Sequence, residues 1–259
     1  MEHSPRYTVL FALAVCGVCS VFVAGAAVAL KERQIENKRL DVQKKVLDLA
    51  GLIDPDDPPP REEIGRIYAE RVTPRVVELE TGSYAEEIPP ADFDQRSARG
   101  DPDRSRQAPA NPAKIARVPI HGKVFQIMED GQVDALILPI EGKGLWSTLY
   151  GFIALSADTR TVRGITFYEH GETPGLGGEV DNPRWKSLWE GRKVFDGQWQ
   201  PKIRVVKGAA GPVDEDPYQV DGLSGATITS RGVSDLVNFW LGENGFGPYL
   251  AQHRSARGI

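Results

Sequence analysis

The 259 residues carry 31 Lys and Arg against 36 Asp and Glu, a net charge of −5, with 41% apolar and 26% charged residues. That balance excludes a wholly disordered chain and lacks the basic surplus of a nucleic-acid binder. Both cysteines, Cys16 and Cys19, fall in the first apolar stretch, so the rest of the chain has no disulfide, thiolate metal site or cysteine nucleophile.

A short tail, 1–6, precedes a run without charge over 7–30. A helix of that length rises about 36 Å, enough to cross a hydrocarbon core of about 30 Å. A single span in lipid has to be helical to satisfy its own backbone. Ala24-Gly25-Ala26 has the small-x-small form of a signal-peptide cleavage site, but the apolar run exceeds a signal core. A retained transmembrane helix is expected. Lys31, Arg33, Lys38 and Arg39 follow it, against Arg6 before it, and the positive-inside rule on its own leaves the body of the chain in the cytoplasm.

Segment 31–116 reads as helical, with a charged, Pro-rich excursion. Ile35, Leu40, Val46, Leu47 and Ala50 recur at helical spacing until Gly51, and a polar break runs from Asp54 to Pro60. A second helix is expected to carry Ile64, Ile67, Tyr68, Val72, Val76 and Val77. Over 85–113, Asp, Arg, Pro and Ala dominate, which predicts a surface excursion outside the core.

Segment 117–259 changes character. VPIHGKVFQIM, VDALILPI, STLYGFIALS, TVRGITFYEH and KIRVVK are strand-like runs rich in Val, Ile, Tyr and Phe. Helices are expected over 183–190, behind Asp181-Asn182, and over 231–241, with Val233, Leu236, Val237, Trp240 and Leu241 on one face. The fold class is α+β: an N-terminal transmembrane helix, then a soluble domain with an antiparallel or mixed sheet packed against helices.

The segment richest in chemistry is Asp221-Gly222-Leu223-Ser224-Gly225-Ala226-Thr227-Ile228-Thr229-Ser230, just ahead of the last of these helices. Small residues, hydroxyls and a helix N-terminus form a natural phosphate cradle. They equally describe a plain loop in which Thr229 or Ser230 caps the helix. DGLSGAT resembles the flavinylation motif Asp-x-x-Ser/Thr-Gly-Ala-Thr, in which the last threonine carries FMN as a phosphoester. The blocks GLWSTLYG, HGETPGLG, DNPRW, FWLG and FGPYL extend the resemblance over nearly the whole chain, to the C subunits of the sodium-translocating NADH:quinone oxidoreductases.

The resemblance implies covalent FMN on Thr227, with Asp221, Ser224, Gly225 and Ala226 recognised by a flavin transferase. It also implies other subunits of a membrane complex as partners and a bacterial inner-membrane location. The soluble domain would then face the periplasm, against the charge rule. Around the flavin, Glu172, Thr173, Gly175, Leu176 and Gly177 offer a tight turn with one apolar side chain; Trp146, Ser147 and Thr148 offer an indole and hydroxyls. Lys207 is a candidate phosphate counter-charge and Thr229 a further contact. For these, a plain turn, a core tryptophan and a solvated lysine stand as the alternatives. No metal site is expected around the isolated His170, and without a G-x-G-x-x-G after a strand no nicotinamide site is expected either. The flavin would relay electrons, with the protein supplying position and electrostatics. The flavin subunit of the related Rnf complex and a non-redox membrane adapter remain as other readings.

Overall fold

A computed structural model describes residues 4–258. Of the expected tail, residues 1–3 lie outside the described residues. Helix α1 (Pro5–Leu49) starts behind Ser4, whose hydroxyl accepts from the Tyr7 N–H. The apolar span and the amphipathic helix expected after it are one unbroken 45-residue helix. Residues 5–39 are exposed along their length, whereas Val46 and Leu47 are fully buried. Among the described residues, α1 is the one helix long and apolar enough to cross a membrane. Gly51, at φ 67°, follows its end.

Helix α2 (Arg61–Arg71) stops short of the valines assigned to it by spacing. Val72, Val76 and Val77 instead form strand β1 (Val72–Glu78). Pro74 is the physical reason: it has no N–H and cannot occupy a helix interior, while β-branched neighbours favour an extended chain. The proline is tolerated because β1 is an edge strand.

The excursion over 85–113 is also corrected. It contains helix α3 (Gln95–Gly100) and strand β2 (Ser105–Gln107), which pairs with β3 (Arg117–Pro119). Phe93, Ala98 and Ala85 are buried with Val76 in a small satellite core. Arginines dock α3 on the sheet: Arg96 grips the Glu169 carboxylate at 2.6 and 2.8 Å and lies over the Tyr150 ring, and Arg99 reaches Glu141 at 2.9 Å.

The main sheet adds β4 (His121–Glu129), β5 (Gln132–Lys143), β6 (Thr148–Ser156) and β7 (Val162–Glu169), in the order β1-β4-β5-β6-β7. Every neighbouring pair is antiparallel. Alternation along the strands sends Phe125, Ile127, Ala135, Ile137, Phe152 and Ala154 to one face, beneath the C-terminal end of α1 and Ile64 of α2. Leu136, Leu138, Ile140, Ile153 and Leu155 point to the other face.

The second face is covered by α5 (Thr227–Leu241), by α4 (Pro183–Ser187) behind its Asn182 cap, and by residues of α6 (Gly247–Arg257). A two-residue parallel pair, β8 (Arg204–Val205) with β9 (Gln219–Val220), lies against α5. Helix α6, which begins with Gly247-Pro248, is absent from the expected elements.

Candidate functional site

Helix α5 is amphipathic, with Val233, Leu236, Val237, Trp240 and Leu241 buried against the sheet. It begins at Thr227, ahead of both hydroxyl residues expected to cap it. Its N-cap residue is Ala226, with no side-chain cap bond. The expected caps are engaged elsewhere: Ser230 Oγ accepts from the Leu223 N–H at 3.1 Å, and the buried Thr229 hydroxyl donates to Glu172 at 2.6 Å. The first turn of α5 therefore keeps unpaired N–H groups. Thr227 itself is exposed, as are Ser224 and Gly225, whereas Ala226 is buried.

The loop holding Thr227 is fixed from behind. Gly222 N–H donates to Gly208 O at 2.8 Å, and a Cβ on Gly222 would meet Val206 O at 2.2 Å. Asp221 accepts from the Ala210 N–H through its carboxylate and from the Trp185 indole N–H through its carbonyl, both at 2.8 Å. Lys207 lies in the loop braced against Gly222, and its side chain is exposed.

The turn at 172–177 packs alongside. Leu176 N–H donates to Thr173 O at 3.1 Å across Pro174 and Gly175, and Gly175 has φ 75°, the pattern of a type II turn. Thr173 is exposed, and Leu176 reaches Gly225, where a Cβ would lie 2.9 Å from its Cδ2. His170 braces this turn: its Nδ1 accepts from the Glu172 N–H, which leaves Nε2 to donate to Asp181 at 2.7 Å.

The third segment is the turn between β5 and β6. Trp146 is 67% exposed, which removes the core-tryptophan alternative. The Ser147 hydroxyl is engaged within the chain, accepting from the Gly171 N–H at 2.6 Å, and Thr148 opens β6 half-buried. Lys143 donates to Trp146 O at 3.2 Å. A cavity of about 320 Å³ with a cationic lining, including Arg99, Lys114, Arg117 and Lys143, opens beside this turn.

Glu172 ties the three segments together. The residue is 6% exposed, and its carboxylate accepts from Leu145, Trp146 and Ser147 N–H and from the Thr229 hydroxyl. Burial alone would raise its pKa, but the bonds from Thr229, Trp146, Ser147 and Leu145 outweigh that and hold it below the ordinary glutamate value. Gly177 leaves room for this knot, since a Cβ there would sit 2.6 Å from Thr229 Oγ1 and 2.7 Å from Glu172 Oε2.

Of the residues singled out in sequence, Thr227, Ser224, Gly225, Trp146, Thr173 and Leu176 thus share an exposed rim. Glu172, Gly177 and Thr229 form its buried support. Sequence reasoning missed Leu145 and Ile228, exposed by 41% and 57%, which add apolar surface from two of the converging segments.

The family model of the FMN-binding domain matches residues 144–242, the stretch that contains all three rim segments. The C subunit of the Na+-translocating NADH-quinone reductase of Pseudomonas aeruginosa is 47% identical over 256 residues, 98% of this chain and 97% of its own. The corresponding protein of Yersinia pestis is 48% identical over 252 residues, 95% of this chain and 92% of its own. The crystal structure of Shewanella oneidensis NqrC superposes with a TM-score of 0.78 at 37% identity, covering 85% of this chain and 99% of that one. Likeness of this extent, from the apolar helix to the C-terminal helices, means that the chain belongs to the family of C subunits of the Na+-translocating NADH-quinone reductases.

Proposed function

We propose that the chain carries FMN as a phosphoester on Thr227 and relays electrons through it within a sodium-translocating NADH:ubiquinone reductase. The observation that carries this reading is the exposed Thr227 at the N-terminus of α5, where no side chain caps the helix. A flavin transferase must reach its hydroxyl oxygen, and exposed Ser224 and Gly225 beside it leave the approach open. The phosphate, a diester once joined to Thr227, keeps one negative charge, and the free amides of the first turn are suited to hold it. Lys207, exposed in the neighbouring loop, is available as a counter-charge.

The residues present also fit the rest of the group. Leu145, Trp146, Leu176 and Ile228 supply an apolar rim against which a planar ring system loses water. When bound, FMN supplies reversible electron transfer, which none of the side chains on this face can provide. The chain's own residues anchor the phosphate, orient the ring and shield one side of it. Helix α1 holds the domain at the bacterial inner membrane, with the flavin face on the periplasmic side and other subunits of the complex as donor and acceptor. The ester bond keeps the cofactor where free FMN is scarce.

The test is direct. The full chain is co-expressed with a flavin transferase, denatured, separated on a gel and viewed under ultraviolet light, with intact mass measured in parallel. A fluorescent band that disappears in Thr227→Ala is the expected outcome. A dark wild-type band, with no FMN in the mass spectrum, leaves a membrane-anchored domain without a redox role.

A further inference from the structure

A buried carboxylate ordinarily demands a cation, and Glu172 does without one. Its hydrogen-bond partners among the described residues are all neutral: Oε1 accepts from Trp146 N–H at 2.9 Å and Ser147 N–H at 3.2 Å, and Oε2 from Leu145 N–H at 3.2 Å and Thr229 Oγ1 at 2.6 Å. Three successive amides converging on one side chain form an anion-binding nest, here filled by a residue of the same chain. Two glycines enclose it. A Cβ at Gly144 would stand 2.6 Å from Oε1, and one at Gly177 would stand 2.7 Å from Oε2. Nothing larger than glycine fits at either place while the carboxylate stays where it is.

The elements bound to this carboxylate are the ones that surround Thr227. The nest bears exposed Leu145 and Trp146, the Glu172 turn carries Leu176, and Thr229 lies in the first turn of α5 beside Thr227 and Ile228. We propose that Glu172 is a positioning residue for the flavin, a single buried anion that locks the 144–148 turn, the 172–177 turn and the start of α5 into one rim around the attachment oxygen. The proposal rests on the reading of Thr227 as the flavin-bearing residue. It has a second consequence. Because every partner is neutral, the negative charge is not cancelled, and a fixed charge in a dry place behind the rim lowers the electron affinity of a ring held there.

Two near-isosteric variants separate the parts of this arrangement. Glu172→Gln keeps the shape, removes the charge and sets an NH2 donor against an N–H donor. Thr229→Val removes the tie to α5 and leaves the amide nest. The first measurement needs no flavin: hydrogen exchange of the unmodified full chain. The amides of Leu145, Trp146 and Ser147 are expected to exchange about tenfold faster in Glu172→Gln, while those in the middle of β5 hold their rates. The second uses flavin-loaded protein: the visible circular dichroism of the flavin changes in both variants, and its midpoint potential moves positive in Glu172→Gln alone.

Wild-type exchange in Glu172→Gln overturns the lock. Faster exchange with an unchanged flavin spectrum and potential overturns the positioning role and leaves Glu172 as a structural brace. A wild-type chain that takes up no flavin overturns the tether reading and the positioning role with it, and the exchange data then report a brace alone.

Discussion

The two faces of the central sheet are held in different ways. On the face toward α5, apolar packing is joined by close backbone approach and directed bonds. A Cβ at Gly232 would meet Lys143 O at 2.3 Å, one at Gly142 would meet Leu236 Cβ at 2.4 Å, and the Trp240 indole N–H donates to Glu141 O at 2.7 Å. On the face toward α1 and α2, the contact is side chain against side chain: Val46, Leu47 and Ile64 lie on Phe125, Ile137 and Phe152, with half-buried Leu40, Leu49, Ile67 and Tyr68 at the margin. Glycine contacts and directed hydrogen bonds allow α5 one position on the sheet, whereas a margin of flexible apolar side chains tolerates small shifts of α1. The helix that bears Thr227, the proposed attachment residue, is the rigidly seated one.

The sharpest way to break this contrast is Gly232→Val. Its Cβ collides with a carbonyl oxygen of β5, which cannot rotate aside as a side chain can. The expected loss is about 3 kcal/mol or more, read by denaturant unfolding of the full chain in detergent, with flavin attachment falling in parallel. Leu47→Ala is the matching change on the opposite face. Leu47 is fully buried, and its loss is expected to cost about 2–3 kcal/mol while the folded fraction still accepts flavin on Thr227. Equal damage to attachment in both variants would mean that the faces are not independent.

What the sequence made legible follows the same division. The strands of 117–169 rest on β-branched and aromatic content and the apolar face of α5 on residue spacing, both local properties, and both lie where those signals place them. The start of α5 escapes the capping rule because that rule takes Thr229 and Ser230 by their hydroxyls, and these bond to Glu172 and to the Leu223 N–H, far away or behind. The helix-like spacing of Ile64 to Val77 conceals β1, although Pro74 is a legible warning. The satellite core around Phe93 depends on Val76 and on arginines reaching Glu169 and Glu141, none of which a composition-based reading brings together. Glu172 as an inward-facing knot is the least visible feature, because three of its partners are backbone amides and carry no side-chain signature. Its traces are Gly144 and Gly177 and its place as the lone carboxylate in an otherwise uncharged Gly- and Pro-rich turn.

Acidification is expected to move the two faces in opposite directions. Glu172 has a depressed pKa, so its unfolded form binds a proton first. The support it gives is complete above the ordinary value of 4.5 and declines as pH falls below that, through the folded value. Asp48, near the end of α1, is the reverse case. Burial raises its pKa above the ordinary 3.8, a shift that Lys186 and Lys45 reduce without cancelling. Its folded form therefore binds the proton first, and the α1 end gains stability as pH falls through that raised value. Protection factors for the amides of 145–147 should drop below pH 4.5, while those of Ala50 and Leu52, which donate to Val46 and Leu47, hold or rise. A common decline at both places would indicate global acid unfolding and erase the distinction.

The smallest effect expected is at the polar seam beside the anchor. Arg61 Nη1 lies 3.0 Å from Glu36 Oε1 and its Nη2 donates to Asn37 at 2.6 Å, but both charged side chains are largely exposed. An exposed pair gains little over hydration and loses side-chain entropy, so Arg61→Ala is expected to cost about 0.5 kcal/mol at low salt. At 1 M salt, where the Debye length is about 3 Å, the difference should vanish. If the loss instead reached that of Leu47→Ala and persisted in salt, the α1 face would depend on a directed polar contact much as the α5 face does. The anchor would then set the orientation of the domain by geometry, and not merely hold it near the membrane through apolar contact.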